Sequence, residues 1–193
     1  MQQQKTSKKS WKKWMLILTA FAITSGTLFN FVCVDCDKKV QNASNWEAYS
    51  PADERFQVQF PADPEEKAEE IAVANKTLQY QEYKAEAKDT EYKVSYIDFP
   101  GIWKMVGSKK LLTKSFDALL DQEDGVEEVL HSELTNHHGN PSLNYHFKQA
   151  GKEVKGRLVI VGNTLYRLVV SYPKAVAEKI DSESFLNSFQ AMG

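Results

Sequence analysis

Acidic residues are missing from the first 34 positions, cysteines from everything after Cys36, and the familiar catalytic signatures from the whole chain. No G-x-S-x-G, H-E-x-x-H, P-loop or G-x-G-x-x-G occurs, which removes the common hydrolase, zinc-protease and nucleotide-binding signatures. Cys33 and Cys36 form a single C-x-x-C with no second copy, so the chain lacks the paired spacing of a structural zinc site. No repeat of fixed period and no low-complexity segment beyond the basic start is present. Setting residues 1–36 aside removes five Lys and one Asp from 24 basic and 26 acidic residues, leaving a net −6. An acidic domain has no basic stripe to displace phosphate counterions, so nucleic acid is not an expected partner. Cations or basic partners stay open.

What is present starts with a segment that does not belong to a globular core. Lys5, Lys8, Lys9, Lys12 and Lys13 precede an apolar run from Met15 to Val34, the order of an export signal or signal anchor. Twenty such residues in a helix span about 30 Å, enough to cross the hydrocarbon core. The positive-inside bias places everything after Val34 outside the cytoplasm. Thr24 and Gly26 offer small residues at a cleavage site that would leave Thr27 as the new terminus. The expectation is an exported domain, either anchored to the cell membrane or released to the periplasm or medium. Cys33 and Cys36, at the exit from this run, are candidates for lipidation or a local disulfide, with redox or metal chemistry as the remaining reading.

The 193 residues, 42% apolar and 26% charged, allow one ordinary domain plus this appendage. The expected division is 1–36 for the basic region and signal or anchor, 37–45 for a polar tether, and 46–193 for the domain. Within it, Phe56, Val58 and Phe60 alternate with Gln57 and Gln59 as in a half-buried strand, stopped by Pro61 and Pro64. "KTLQYQEYKAEA" and "EYKVSYIDF" read as further strands, wet on one side. Leu112, Phe116, Leu119 and Leu120 fall on one face of a helix, with Ser108 as its expected N-cap and Gly125 as its stop. Alternation returns in "VEEVLHSEL", "LNYHFK", "KGRLVIVG" and "TLYRLVVSY". The last two flank Gly162-Asn163, a two-residue hairpin turn, and their nearly continuous apolar character predicts central strands covered on both faces. Val176, Ile180, Phe185, Leu186 and Phe189 predict short closing helices. Strands, a helix, strands and a last helix make an α+β fold with a mainly antiparallel sheet.

"NWEAYSPADERFQVQFPADPEE", "YKVSYIDFP", "RLVIVGNTLYRLVVSYPK" and "ESFLNSF" together resemble the PsbP-like superfamily, over Trp46 to Phe189. The resemblance implies an α/β/α sandwich. It carries no catalytic motif, and the fold serves dissimilar roles in its members, so it transfers no functional residue.

Four histidines, His131, His137, His138 and His146, lie within 16 positions on two strands expected to pair through "NHHGNPS". Imidazoles suit Zn, Cu and Ni, so His131 and His146 are the candidate metal ligands, with His137 and His138 at the turn. Asp117, Asp121, Glu123 and Asp124 gather near the helix end, where carboxylates can hold a hard cation or stay solvated. Ile102, Trp103 and Met105, after a Pro-Gly turn, form the candidate partner-binding loop. The sequence points to a noncatalytic binding or assembly module of the bacterial cell envelope, with a membrane contact through its N-terminal segment, an envelope protein as partner and no cofactor. The alternatives are a metal-dependent factor or small enzyme using His131 and His146, and a lipid or small-ligand carrier.

Overall fold

In the computed structural model, which describes residues 46–73, 76–101 and 106–192, the chain winds around one long antiparallel sheet. Its strands are β3 (Glu65–Val73), β4 (Lys76–Ala87), β5 (Thr90–Asp98), β6 (Val126–His137), β7 (Asn140–Gln149), β8 (Lys152–Val161) and β9 (Thr164–Pro173). They lie in the order β3-β4-β5-β9-β8-β7-β6, every pair antiparallel. Among the described residues, two-residue turns join four of the pairs. Val161 opposite Thr164 confirms the turn read at Gly162-Asn163. Lys88-Asp89, His138-Gly139 and Ala150-Gly151 all have positive φ at both positions, the backbone that matches strand twist in a tight hairpin.

β8 and β9 occupy the interior of the sheet, as their apolar runs predict. One face carries Leu143, Tyr145, Phe147, Leu158, Ile160, Leu165 and Val169. Over it lies α1 (Ser108–Gln122), which lowers Leu112, Phe116 and Leu119 into that core. Ser108 does not cap this helix. Gly107, at φ 82°, holds the cap position without a side-chain bond, so the turn is set by backbone freedom rather than by a hydroxyl.

The other face presents Tyr83, Tyr92, Val94, Tyr96, Tyr166, Leu168 and Val170. Its cover is mixed: a small sheet of β1 (Glu47–Tyr49), β2 (Phe56–Phe60) and β10 (Gln190–Ala191) in the order β1-β2-β10, with a 3-10 turn (Lys174–Lys179) and α2 (Ser182–Ser188). Phe56, Val58 and Phe60 from β2 meet Phe185 and Leu186 from α2, and Phe189, in this second core. Each fully buried side chain of this size contributes about 1.5–3 kcal/mol. Asp181 caps α2 by accepting from the Ser184 amide at 3.1 Å. The architecture is therefore three-layered, and the second outer layer combines two short helical segments with a three-stranded sheet.

β3 was not among the expected strands, since "EEKAEEIAV" has no period-two apolar pattern; as an edge strand it needs only the backbone of β4. The strand β5 was expected to be wet on one side, yet Lys93 and Ser95 are buried along with Tyr92, Val94 and Tyr96.

Candidate functional site

The burial of Lys93 opens onto a row of charge across the α1 face of the sheet. Register sets Glu82 of β4 opposite Ser95 of β5, and Ser95 opposite Arg167 of β9. Arg167 arises inside "TLYRLVV", an apolar run that has no room for a cation unless something inside accepts it. Its Nη2 donates to Glu123 Oε1 at 3.0 Å and its Nε to the Tyr145 hydroxyl at 3.3 Å, with both charged side chains over nine-tenths buried. Gln149 Nε2 donates to the second oxygen of Glu123 at 2.9 Å. Burial would push the Glu123 carboxyl up, but Arg167 and Gln149 together hold it below the usual range. Burial likewise works against the Arg167 charge, and Tyr145 and Glu123 outweigh it. Lys93 sits 3.4 Å from Glu91 and 3.8 Å from Glu82, which accepts from the Tyr80 hydroxyl at 2.5 Å. These cations and carboxylates are matched, so the row ties the end of α1 to the sheet centre and presents no activated nucleophile.

The opposite face holds the histidines. His131 of β6 lies directly across from His146 of β7, the juxtaposition the spacing predicts. His146 Nε2 is 3.0 Å from Glu153 Oε2, and His131 Nε2 is 3.6 Å from Glu133 Oε2. His137 stands apart from this pair. Its Nδ1 accepts from Arg157 Nη1 at 2.8 Å and its Nε2 donates to the Phe189 carbonyl at 2.8 Å. Since a guanidinium only donates, His137 is neutral with its proton on Nε2 and has no lone pair left for a metal. Burial, with the Arg157 charge, pushes its pKa down. Arg157 also bonds Asn144 Oδ1, the Leu186 carbonyl and Asn187 Oδ1, clamping α2 and the chain before β10 onto the sheet. His138 occupies the hairpin turn with its ring against His137. Among the described residues, no group of three or more His, Cys, Asp or Glu side chains is arranged to hold a metal ion. Of the acidic group near the helix end, Glu123 is turned inward to Arg167, while Asp117, Asp121 and Asp124 are exposed.

Surface hollows open in two places among the described residues. One of about 580 Å³ opens between β2 and α2, with Gln57, Gln59, Glu183 and Asn187 among its walls. A smaller one of about 180 Å³ lies between Phe99, Leu111, Ile160 and Asn163. The first is lined mainly by polar side chains.

The sheet edge at β6 is different in character. Val129, Leu130 and Leu134 are 43%, 40% and 43% exposed. Val129 lies opposite Phe147 and Leu134 opposite Leu143, so both continue the apolar α1 face outward past the helix. Among the described residues β6 pairs only with β7, and its other edge presents main-chain donors and acceptors to no partner strand. At the far end of the sheet, β3 carries Glu65, Glu66, Glu69 and Glu70 in nine residues, an edge blunted by charge. β6 carries Glu127, Glu128 and Glu133 in twelve residues with exposed apolar residues among them, and this edge was not singled out by sequence. The signal was there in "VEEVLHSEL", whose apolar positions have no counterpart on a covered face.

Ile102, Trp103 and Met105, Cys33 and Cys36, and the run Met15–Val34 lie outside the described residues. No helix among the described residues is long and apolar enough to cross a membrane.

No protein-family model matches the chain, and no curated protein matches it. Among solved structures it is similar to the solution structure of cyanobacterial PsbP from Synechocystis sp. PCC 6803, at 12% identity, over 82% of this chain and 98% of that one, with a TM-score of 0.49. It is also similar to a crystal structure of a Pseudomonas aeruginosa protein of unknown function, at 9% identity, over 69% and 87%, with a TM-score of 0.39.

Proposed function

We propose that the chain is an exported, membrane-anchored binding module of the bacterial cell envelope, noncatalytic, which engages a protein partner along β6. The observation that carries this reading is the β6 edge, where Val129, Leu130 and Leu134 stand exposed beside main-chain groups that have no partner strand among the described residues. An extended edge of this kind captures a partner through backbone hydrogen bonds, with apolar side chains fixing the choice. The basic and apolar N-terminal segment supports export, and the matched pairing of buried charges supports a scaffold rather than a catalyst. A photo-crosslinking residue at Leu134 of the full chain, expressed in a bacterial host and followed by membrane fractionation, tests both parts. The reading expects a crosslinked adduct in the membrane fraction with the domain open to external protease. A cytoplasmic product would sink the export half, and no adduct at any β6 position would sink the binding half.

A second reading rests on the pair His131 and His146, held opposite each other with Glu153 beside them. Under it the domain is a metal-dependent factor. Stoichiometric Zn, Cu or Ni in the purified full chain, lost in the His131→Ala, His146→Ala variant, would favour it over the binding module; a metal-free protein would count against it.

A further inference from the structure

The β6 edge has a geometry of its own that narrows what can pair with it. The turn His138-Gly139, with φ of 51° and 84°, closes on His137 opposite Asn140. In a two-residue hairpin the closing residues are a hydrogen-bonded pair, and the antiparallel ladder then alternates. Thr135, Glu133 and His131 therefore turn their main-chain groups toward β7, while Asn136, Leu134 and Ser132 turn theirs outward. Register shifts between Val126 and Glu128 and between Val129 and His131 interrupt the ladder. Bulges bend an edge and end regular pairing. Only the stretch from His131 to His137 is left as a straight template.

We infer that the occupant of this edge is a second copy of the chain, joined antiparallel about a two-fold axis at Leu134. This rests on the binding-module reading and names its partner. With the axis there, Leu134 faces Leu134 of the second copy, and Ser132 and Asn136 each face the other, all three through outward main-chain groups. Each pair exchanges two N–H···O=C bonds. On the opposite face Glu133 meets Thr135, so no like charges stand directly across from each other. Neighbouring registers are worse. An axis at Glu133 sets that carboxylate against its own copy, an axis at Ser132 runs into the bulge at Leu130, and an axis at Thr135 leaves Ser132 against the turn. Apolar matching at the centre, absence of charge conflict and the bulge together select one register for an identical partner. A tether on one membrane raises the local concentration of copies, which favours such a contact.

The test uses the full chain with Cys33→Ser and Cys36→Ser, so that an introduced thiol is the only one. Opposed residues of a hydrogen-bonded pair have Cα atoms about 5.5 Å apart, inside the range a disulfide spans. Leu134→Cys in bacterial membranes, mildly oxidised, is expected to run as a disulfide-linked dimer on a non-reducing gel. Glu133→Cys, displaced from its own counterpart and on the other face, is expected to link at least tenfold less. Equal linking at the two positions, or none at Leu134, overturns the register. Leu134 is exposed, so neither change disturbs the core; Leu134→Asp should convert the dimer to a monomer by sedimentation with unchanged circular dichroism. Photo-crosslinking at Leu134 separates this inference from the reading beneath it. An adduct of twice the chain mass supports self-pairing, an adduct with a different protein alone overturns self-pairing and keeps the binding module, and no adduct overturns both.

Discussion

The ring of Tyr145 lies where a side chain on Gly156 would stand. A Cβ on Gly156 would come within 2.2 Å of the Tyr145 ring and 2.6 Å of the Leu168 carbonyl. The two residues are cross-strand partners on β7 and β8, and the bare glycine lets the tyrosine lie across β8 until its hydroxyl reaches Arg167 on β9. Phe116 of α1 stacks on the same ring, with centroids 5.3 Å apart. One missing side chain thus permits both helix packing and a bond to the buried cation.

Gly156→Ala should destabilise the domain by at least about 1–3 kcal/mol, the usual range for overpacking. Adding Tyr145→Ala should not restore stability, because the Leu168 carbonyl is main chain and cannot withdraw. Urea unfolding of the single and double variants measures this, and full recovery in the double variant would contradict the geometry.

Arg167→Met should be severe. It leaves the Glu123 carboxylate buried without its cation, a change that typically costs about 3–5 kcal/mol. Removing both charges with Arg167→Met and Glu123→Leu should cost less than Arg167→Met alone. A double-mutant cycle by chemical denaturation reads the coupling directly.

Acid should loosen the α2 end of the molecule. The pKa of His137 is lowered in the folded chain, so the unfolded chain takes up the proton first. Stability from this group is complete above about 6.5, the unfolded value, and falls as pH drops from there toward the lowered folded value. His146 is also lowered, by burial against the opposing pull of Glu153, and acts with the same sign. His137→Gln keeps an acceptor for Arg157 and a donor for the Phe189 carbonyl but does not titrate. Its Tm should therefore fall less than that of the unaltered chain between pH 7.5 and 5.5; identical falls would remove His137 from the account.

How much of this was legible in the sequence depended on whether neighbours or distant residues set each feature. The turn at Gly162-Asn163, the helix face of Leu112, Phe116 and Leu119, and the pairing of His131 with His146 follow from local period and short turns, and the structure has all three. β3 escaped because an edge strand of glutamates satisfies its backbone with one neighbour and needs no apolar face. The interior charges escaped differently. Glu123 and Arg167 are 44 positions apart, and no local pattern announces a partner at that range, although a cation inside "TLYRLVV" was itself a sign that one existed. The β6 edge was legible as a strand but not as an edge, since strand order is a property of the whole sheet.

That order also carries a consequence for how the chain reaches its native state. β3-β4-β5 and β6-β7-β8-β9 are two meanders of sequential neighbours, and in the seven-stranded sheet they meet only where β5 pairs with β9. Each meander closes loops of a few residues, whereas the seam brings together Asp98 and Thr164 across 66 positions. Long closures are entropically late unless other contacts reward them. Val94→Ala in the seam is therefore expected to slow folding, and Leu143→Ala in β7 chiefly to speed unfolding, in stopped-flow chevrons. On that expectation a sheet continuous in space forms as two halves in time, and the zip between β5 and β9 is the step that joins them.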